Sequence, residues 1–204
     1  MMSISVLNPP KAAAILQQLD SGGTLEVKWN AETNTPSKIT GNLSQPTNHS
    51  PEWIAYEFLK KSRTLYGLRD PEHTMKVVEV ERHPDKINVH YQHLLFGTPV
   101  WEDKLVIEIS NQGVIQRIEG TIHPHLEKQL FNRPMHSAIT KKQAIQTAIA
   151  AAQSEIANKP IAEYYYLPTR PGVPLIYIVR LQYINSNQST TTLIHSLTGR
   201  IIEQ

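Results

Sequence analysis

The sequence predicts an α+β protein of two modules, each built from a helix packed on an antiparallel sheet. Three observations carry that expectation. A helical pattern followed by strand patterns occurs twice along the 204 residues. Within each repeat the strands follow one another through short turns, which favours antiparallel pairing with the helix covering one face. Between the repeats, the run 121–137 (TIHPHLEKQLFNRPMHS) lacks sustained periodicity and carries Pro124, Asn132 and Pro134, as a linker would. The expected division is 1–130, with an N-terminal hairpin, and 131–204. The repetition is one of architecture and not of sequence.

Each element has its own justification. Ala12, Ile15, Leu16 and Leu19 recur at helical spacing, and Ser21-Gly22-Gly23 ends that pattern. Leu25, Val27 and Trp29 alternate with polar residues and predict a strand, returned by Ser37–Ser44 after the turn-rich NAETNTP. The next helix opens at Ser50, whose hydroxyl can cap, with Pro51 at the first helical position and Glu52 at the positive end of the dipole. Ile54, Ala55, Phe58, Leu59, Leu65 and Tyr66 form its apolar face, and Gly67 stops it. Strands are then expected over 74–82, 87–96 and 101–110, with Gly97-Thr98-Pro99 as the turn before the third. Asn111-Gln112-Gly113 turns the chain into a further strand. After the linker, Thr140 with Gln143 three residues on forms a capping box. The stripe Ala144, Ile145, Ala148, Ile149, Ala152 and Ile156 predicts a helix over 139–156. Strand patterns follow at 162–168, 174–185 and 190–204, the last turned back on itself at Thr198-Gly199.

Composition narrows the function classes. With 40% hydrophobic and 19% charged residues the chain can bury a core. A net charge of +2 with interspersed signs gives no nucleic-acid face and no polybasic membrane surface. Zero cysteines exclude disulfides, thiol catalysis and thiolate-bound metal. No window reaches the roughly 18–20 apolar residues of a membrane helix. The opening residues do not read as a signal peptide.

Reactive motifs are not found. There is no His-Glu-x-x-His, no Gly-x-Ser-x-Gly elbow and no phosphate-binding glycine loop. The expectation is a protein that is not an enzyme, with no cofactor and no metal. His123 and His125 flank Pro124 and read as exposed linker histidines. His90 and His93 fall on opposite faces of one strand, with His93 on the apolar side as a satisfied core histidine. Tyr164-Tyr165-Tyr166 reads as a strand packing both faces. Asp103-Lys104 reads as a solvated turn or strand edge.

The string YQHLLFGTPVWEDKL resembles the fungalysin/thermolysin propeptide (FTP) domain. Tyr91, Gln92, Gly97, Pro99 and Val100, followed by Leu105 and Val106, match that pattern in order. The upstream helix ending in Leu-x-x-Pro is also similar. From Thr140 onward TKKQAIQTAI, IYIVRLQY and LIHSLTGRIIEQ resemble the PepSY module. The chain departs from the FTP pattern at Glu102-Asp103, where a glycine pair is common, and at Glu108, where a histidine is common. The order of modules is that of prosegments of thermolysin-like metallopeptidases, and the expectation is a propeptide-like chain without a peptidase domain. The resemblance implies a cystatin-like/PepSY-like fold. It also implies a monomer that binds a thermolysin-like metallopeptidase, inhibiting it or assisting its folding, in a secreted or cell-envelope setting. The alternative is a non-catalytic cell-envelope PepSY module with no protease partner. For partner binding the sequence offers Trp101 and the tail Ile202, Glu203 and Gln204, whose carboxylate could approach a catalytic zinc. The family-motif residues Tyr91, Gln92, Gly97, Pro99 and Val100 are assigned structural roles.

Overall fold

A computed structural model describes residues 10–20, 23–152, 155–157, 159–184 and 189–203. The chain is α+β, with few helices and mostly antiparallel strands. It divides into two compact units. One holds the residues through Gly97 together with Glu102–His125; the other holds Thr98–Trp101 and the residues from Leu126 onward.

The first unit begins with α1 (Pro10–Leu19), which buries Ala12, Leu16 and Leu19. A hairpin of β1 (Glu26–Asn30) and β2 (Thr35–Thr40) follows. Helix α2 spans Pro51–Ser62, and Ser50 Oγ accepts from the Trp53 N–H as its cap. The last expected turn of α2 tightens into a 3-10 turn, Arg63–Tyr66, and ends on Gly67 at φ 62°. The short α3 (Pro71–Thr74) is capped by Asp70 and runs directly into β3 (Met75–Arg82). Then come β4 (Lys86–Leu95), β5 (Thr98–Ser110) and β6 (Ile115–Thr121). The sheet order is β1-β2-β6-β5-β4-β3. Ile54, Ala55, Phe58 and Leu59 of α2 share one apolar cluster with Ile39, Tyr91, Ile107 and Ile118. Each buried Ile, Leu or Phe side chain of this cluster contributes about 1.5–3 kcal/mol.

The β4–β5 connection differs from the expected one. The turn residues are Phe96 and Gly97, at φ 51° and 78°, and Thr98-Pro99 already belong to β5. Positive φ at both central residues is what a two-residue type I′ hairpin demands. A Phe in that conformation is strained, and nothing in its residue type announces it.

β5 also changes phase along its length. Val100 is buried, as are Asp103, Leu105, Ile107 and Ile109. Strict alternation would bury residue 102 or 104. The exposed Glu102 takes φ 61° and absorbs the extra residue. The division between the two units falls at this point, between Trp101 and Glu102.

In the second unit α4 (Leu126–Gln129) precedes α5 (Lys141–Ala151), β7 (Ile161–Tyr166), β8 (Leu175–Gln182), β9 (Ser189–His195) and β10 (Ile201–Ile202). Val100 pairs in parallel with Tyr166; β7, β8, β9 and β10 then follow antiparallel. Ala144 and Ala148 of α5 pack on Tyr177, Val179 and Ile194. The capping box of Thr140 and Gln143 forms as its spacing predicts. The helix ends earlier than its apolar stripe suggested. Ile149 is 42% exposed, and Ile156 lies outside the helix, bridged to Tyr183. The stretch 121–137 is not a loose linker: Ile122, Leu126 and Leu130 are buried, the last two one helical turn apart. Ser137 and the Ile139 carbonyl are tied to the sheet through the hydroxyls of Tyr164 and Tyr177.

Candidate functional site

Of the residues singled out for partner binding, Trp101, Ile202 and Glu203 lie in the second unit. Trp101 stands edge-on to Tyr165, ring centroids 5.3 Å apart and planes at 87°. Both are half-buried, and with Ile202 they rest on Leu167, Ile176, Ile178 and Leu193. This is the opposite face of the β7–β8–β9–β10 sheet from α5. Even-numbered Ile176 and Ile178 point here, while Tyr177 and Val179 point to the helix. Trp101 and Ile202, a hundred residues apart in sequence, are thus brought to one apolar surface.

The tail continues that surface. Ile201 and Ile202 pair with Ile194 and Leu193, which makes β10 the last strand of its sheet. Arg170 Nη2 donates to the Glu203 carbonyl at 2.7 Å and fixes the residue after the strand. Gln204 lies outside the described residues. Ile201 is 43% exposed beside the outer edge of β10. An edge of this kind can accept a further extended strand, with side-chain contacts supplying selectivity.

The family-motif residues sit in and around β4 and β5. Tyr91 is buried under α2, and its hydroxyl donates to the Glu52 carbonyl at 3.3 Å. Gln92 is buried and donates from Nε2 to the carbonyls of Asp103 and His93, each at 3.0 Å. Gly97 makes the turn, Pro99 enters β5, and Val100 pairs with Tyr166.

A polar centre that the residue-by-residue reading missed lies next to this motif. Asp103 is fully buried, contrary to its reading as a solvated edge. Its Oδ2 accepts from His93 Nδ1 at 2.9 Å and from the His123 backbone N–H at 2.8 Å. Its Oδ1 accepts from His123 Nδ1 at 2.6 Å. A carboxylate is acceptor-only, so each ring carries its proton on Nδ1. Burial alone would raise the Asp103 pKa. The hydrogen bonds from His123 and His93, the attraction of His93 and the His123 N–H outweigh it and hold the carboxyl below its ordinary value. His93 is the satisfied core histidine its parity predicted. His123 is not an exposed linker histidine, because the β5–β6 register that pairs Lys104 with Thr121 delivers it to Asp103. The signal available in sequence was parity: Asp103 shares the face of Leu105, Ile107 and Ile109. With its oxygens engaged by three donors, this centre locks β4, β5 and the chain leaving β6 together.

No protein-family model matches the chain. It is 25% identical over 179 residues to bacillolysin of Bacillus cereus, a match covering 81% of this chain and 30% of bacillolysin. The chain therefore spans under a third of the length of that curated relative. Among solved structures, the Bacillus megaterium YpeB C-terminal domain aligns with a TM-score of 0.40 at 13% identity, over 96% of this chain and 95% of that one.

Proposed function

We propose that this protein is a propeptide-like module, FTP-like then PepSY-like, that binds a thermolysin-like zinc metallopeptidase and restrains its activity. The observation that carries the reading is the similarity to bacillolysin, which extends over four-fifths of this chain. That similarity covers a minor part of bacillolysin, as a prosegment would. The FTP-like and PepSY-like strings occur in prosegment order along the chain. The surface of Trp101, Tyr165 and Ile202 beside the outer edge of β10, which pairs with no further strand among the described residues, supplies the contact chemistry: an aromatic anchor, aliphatic neighbours and strand-edge backbone. A specific complex of this kind buries about 1,600 Å² in total.

The test is inhibition in trans. Purified chain at about micromolar concentration is expected to suppress turnover of a thermolysin-like peptidase and to co-elute with it on a sizing column. Trp101→Ala is expected to weaken inhibition by more than about tenfold, which is 1.4 kcal/mol. Undiminished turnover with intact protein and no co-elution would sink the reading.

A further inference from the structure

We propose that the outward face of the β3–β4 hairpin binds a divalent transition metal through Glu79, Glu81 and His90, with His83 completing the set. Carboxylate and imidazole ligands together suit zinc and its neighbours, whereas calcium and magnesium are held by oxygen alone.

The backbone prepares this face. Met75 and Val77 point to the core, so unbroken alternation would carry Glu79 and Glu81 inward as well. The register instead shifts between Val77 and Glu79, and the exposed Val78 takes up the extra residue. Val80 then turns to the core cluster, Glu79 stands opposite His90, and Glu81 stands opposite Asn88. The bulge therefore moves both carboxylates to the side where His90 lies. Bulges of this kind re-aim side chains at sheet edges, and β3 is the last strand of its sheet.

The distances fit a shared ion. The ligand atoms of Glu79, Glu81 and His90 all lie within 4.8 Å of one another. Glu81 Oε2 is 3.3 Å from His90 Nε2 and 3.5 Å from His83 Nε2. Ligand atoms around a tetrahedral zinc with bonds of about 2.0–2.1 Å stand about 3.4 Å apart. His83 is exposed enough to swing toward the ion.

Two atoms at this face have unmet demands. His90 Nε2 is shut off from solvent and, despite its nearness to Glu81, makes no hydrogen bond of acceptable geometry. Asn88 Oδ1 is likewise buried and unpaired, while Asn88 Nδ2 reaches Glu81 and His83. Glu81 Oε2 lies 3.3 Å from the Nε2 without the alignment of a hydrogen bond. A metal would take its lone pair, and two carboxylates would balance the ion's charge.

Calorimetric titration of ZnCl2 into the untagged full chain near neutral pH tests this. Binding at this site is expected with a Kd of roughly micromolar order. Glu81→Gln and His90→Ala should each weaken it by about tenfold or more, and Co2+ loading should give a visible absorption that His90→Ala abolishes. His73→Ala, whose ring pairs with Asp70 outside this face, should leave both readouts unchanged. Glu81→Gln conserves volume and decides the matter if His90→Ala disturbs the hairpin. No zinc uptake, or uptake equal in wild type, Glu81→Gln and His90→Ala, would overturn the proposal.

Discussion

Asp103 shows how one carboxylate can organise three segments. Its two oxygens receive donors from His93 on β4 and from both the ring and the backbone of His123 beyond β6. Asp103→Asn keeps the shape but removes the charge and reverses one donor–acceptor pair. Hydrogen bonds to a buried charged group are worth about 1.5–3 kcal/mol each, although they do not sum. The variant is expected to lose roughly 2–4 kcal/mol at neutral pH, read as a lower urea midpoint. The pH dependence follows from the direction of the shift. The folded-state pKa of Asp103 is depressed by its histidine partners, against the upward pull of burial. Its contribution is therefore complete above the unfolded value and is lost as pH falls through the folded one. As pH falls below about 4, the unfolded carboxyl range, the wild type should lose stability more steeply than Asp103→Asn, because the variant no longer has this proton to take up. Parallel acid limbs for the two proteins would refute this account.

At the scale of elements, glycines in two turns separate conformational strain from steric exclusion. Gly97 has φ 78°, and an added Cβ would meet nothing within 4 Å. Gly113 has φ 74°, and its Cβ would fall 1.9 Å from the Thr47 carbonyl oxygen, a backbone atom that cannot swing away. Gly97→Ala is expected to cost about 1–2 kcal/mol from the left-handed conformation alone. Gly113→Ala adds the displacement of the 44–47 loop from the β5–β6 turn and should cost about 2–5 kcal/mol. Equal thermal shifts for the two would contradict this assignment. The same contrast explains what could be read from sequence. The starts of α2 and α5 were legible because Ser50-Pro51-Glu52 and Thr140 with Gln143 act on their own neighbours. The β4–β5 turn was misplaced because its first residue is a Phe at positive φ, which depends on strand pairing rather than residue type. Asp103 had the correct parity, yet its neighbour Lys104 made the pair look solvated. The partner His123 stood in a segment without periodicity, and only the β5–β6 register brings it close. Glu102 gives no local sign of its left-handed conformation, so the phase change in β5 was not foreseen.

For the whole molecule, the consequence of that phase change is a strand with residues in two cores. Leu105, Ile107 and Ile109 belong to the cluster under α2, whereas Trp101 belongs to the cluster with Ile176 and Ile202. Two compact units each have their own buried residues, so damage confined to one should open it while leaving the other closed. Thr140→Ala removes the cap of α5 and costs about 1 kcal/mol. Its effect on amide exchange should appear at Tyr177, Val179 and Ile194, which face α5, and spare Ile107 and Ile118. Glu102→Pro acts differently. Proline fixes φ near −65°, and residue 102 requires 61°. The substitution must move the residues on both sides of it: Trp101 and Val100 toward one core, Asp103 and Leu105 toward the other. Faster exchange is then expected in both sets of amides from a single exposed position. Glu102→Gly supplies the control, since glycine accepts the observed φ, and it should leave both sets protected. If Glu102→Pro loosened only one set, β5 would not be the element on which both cores depend.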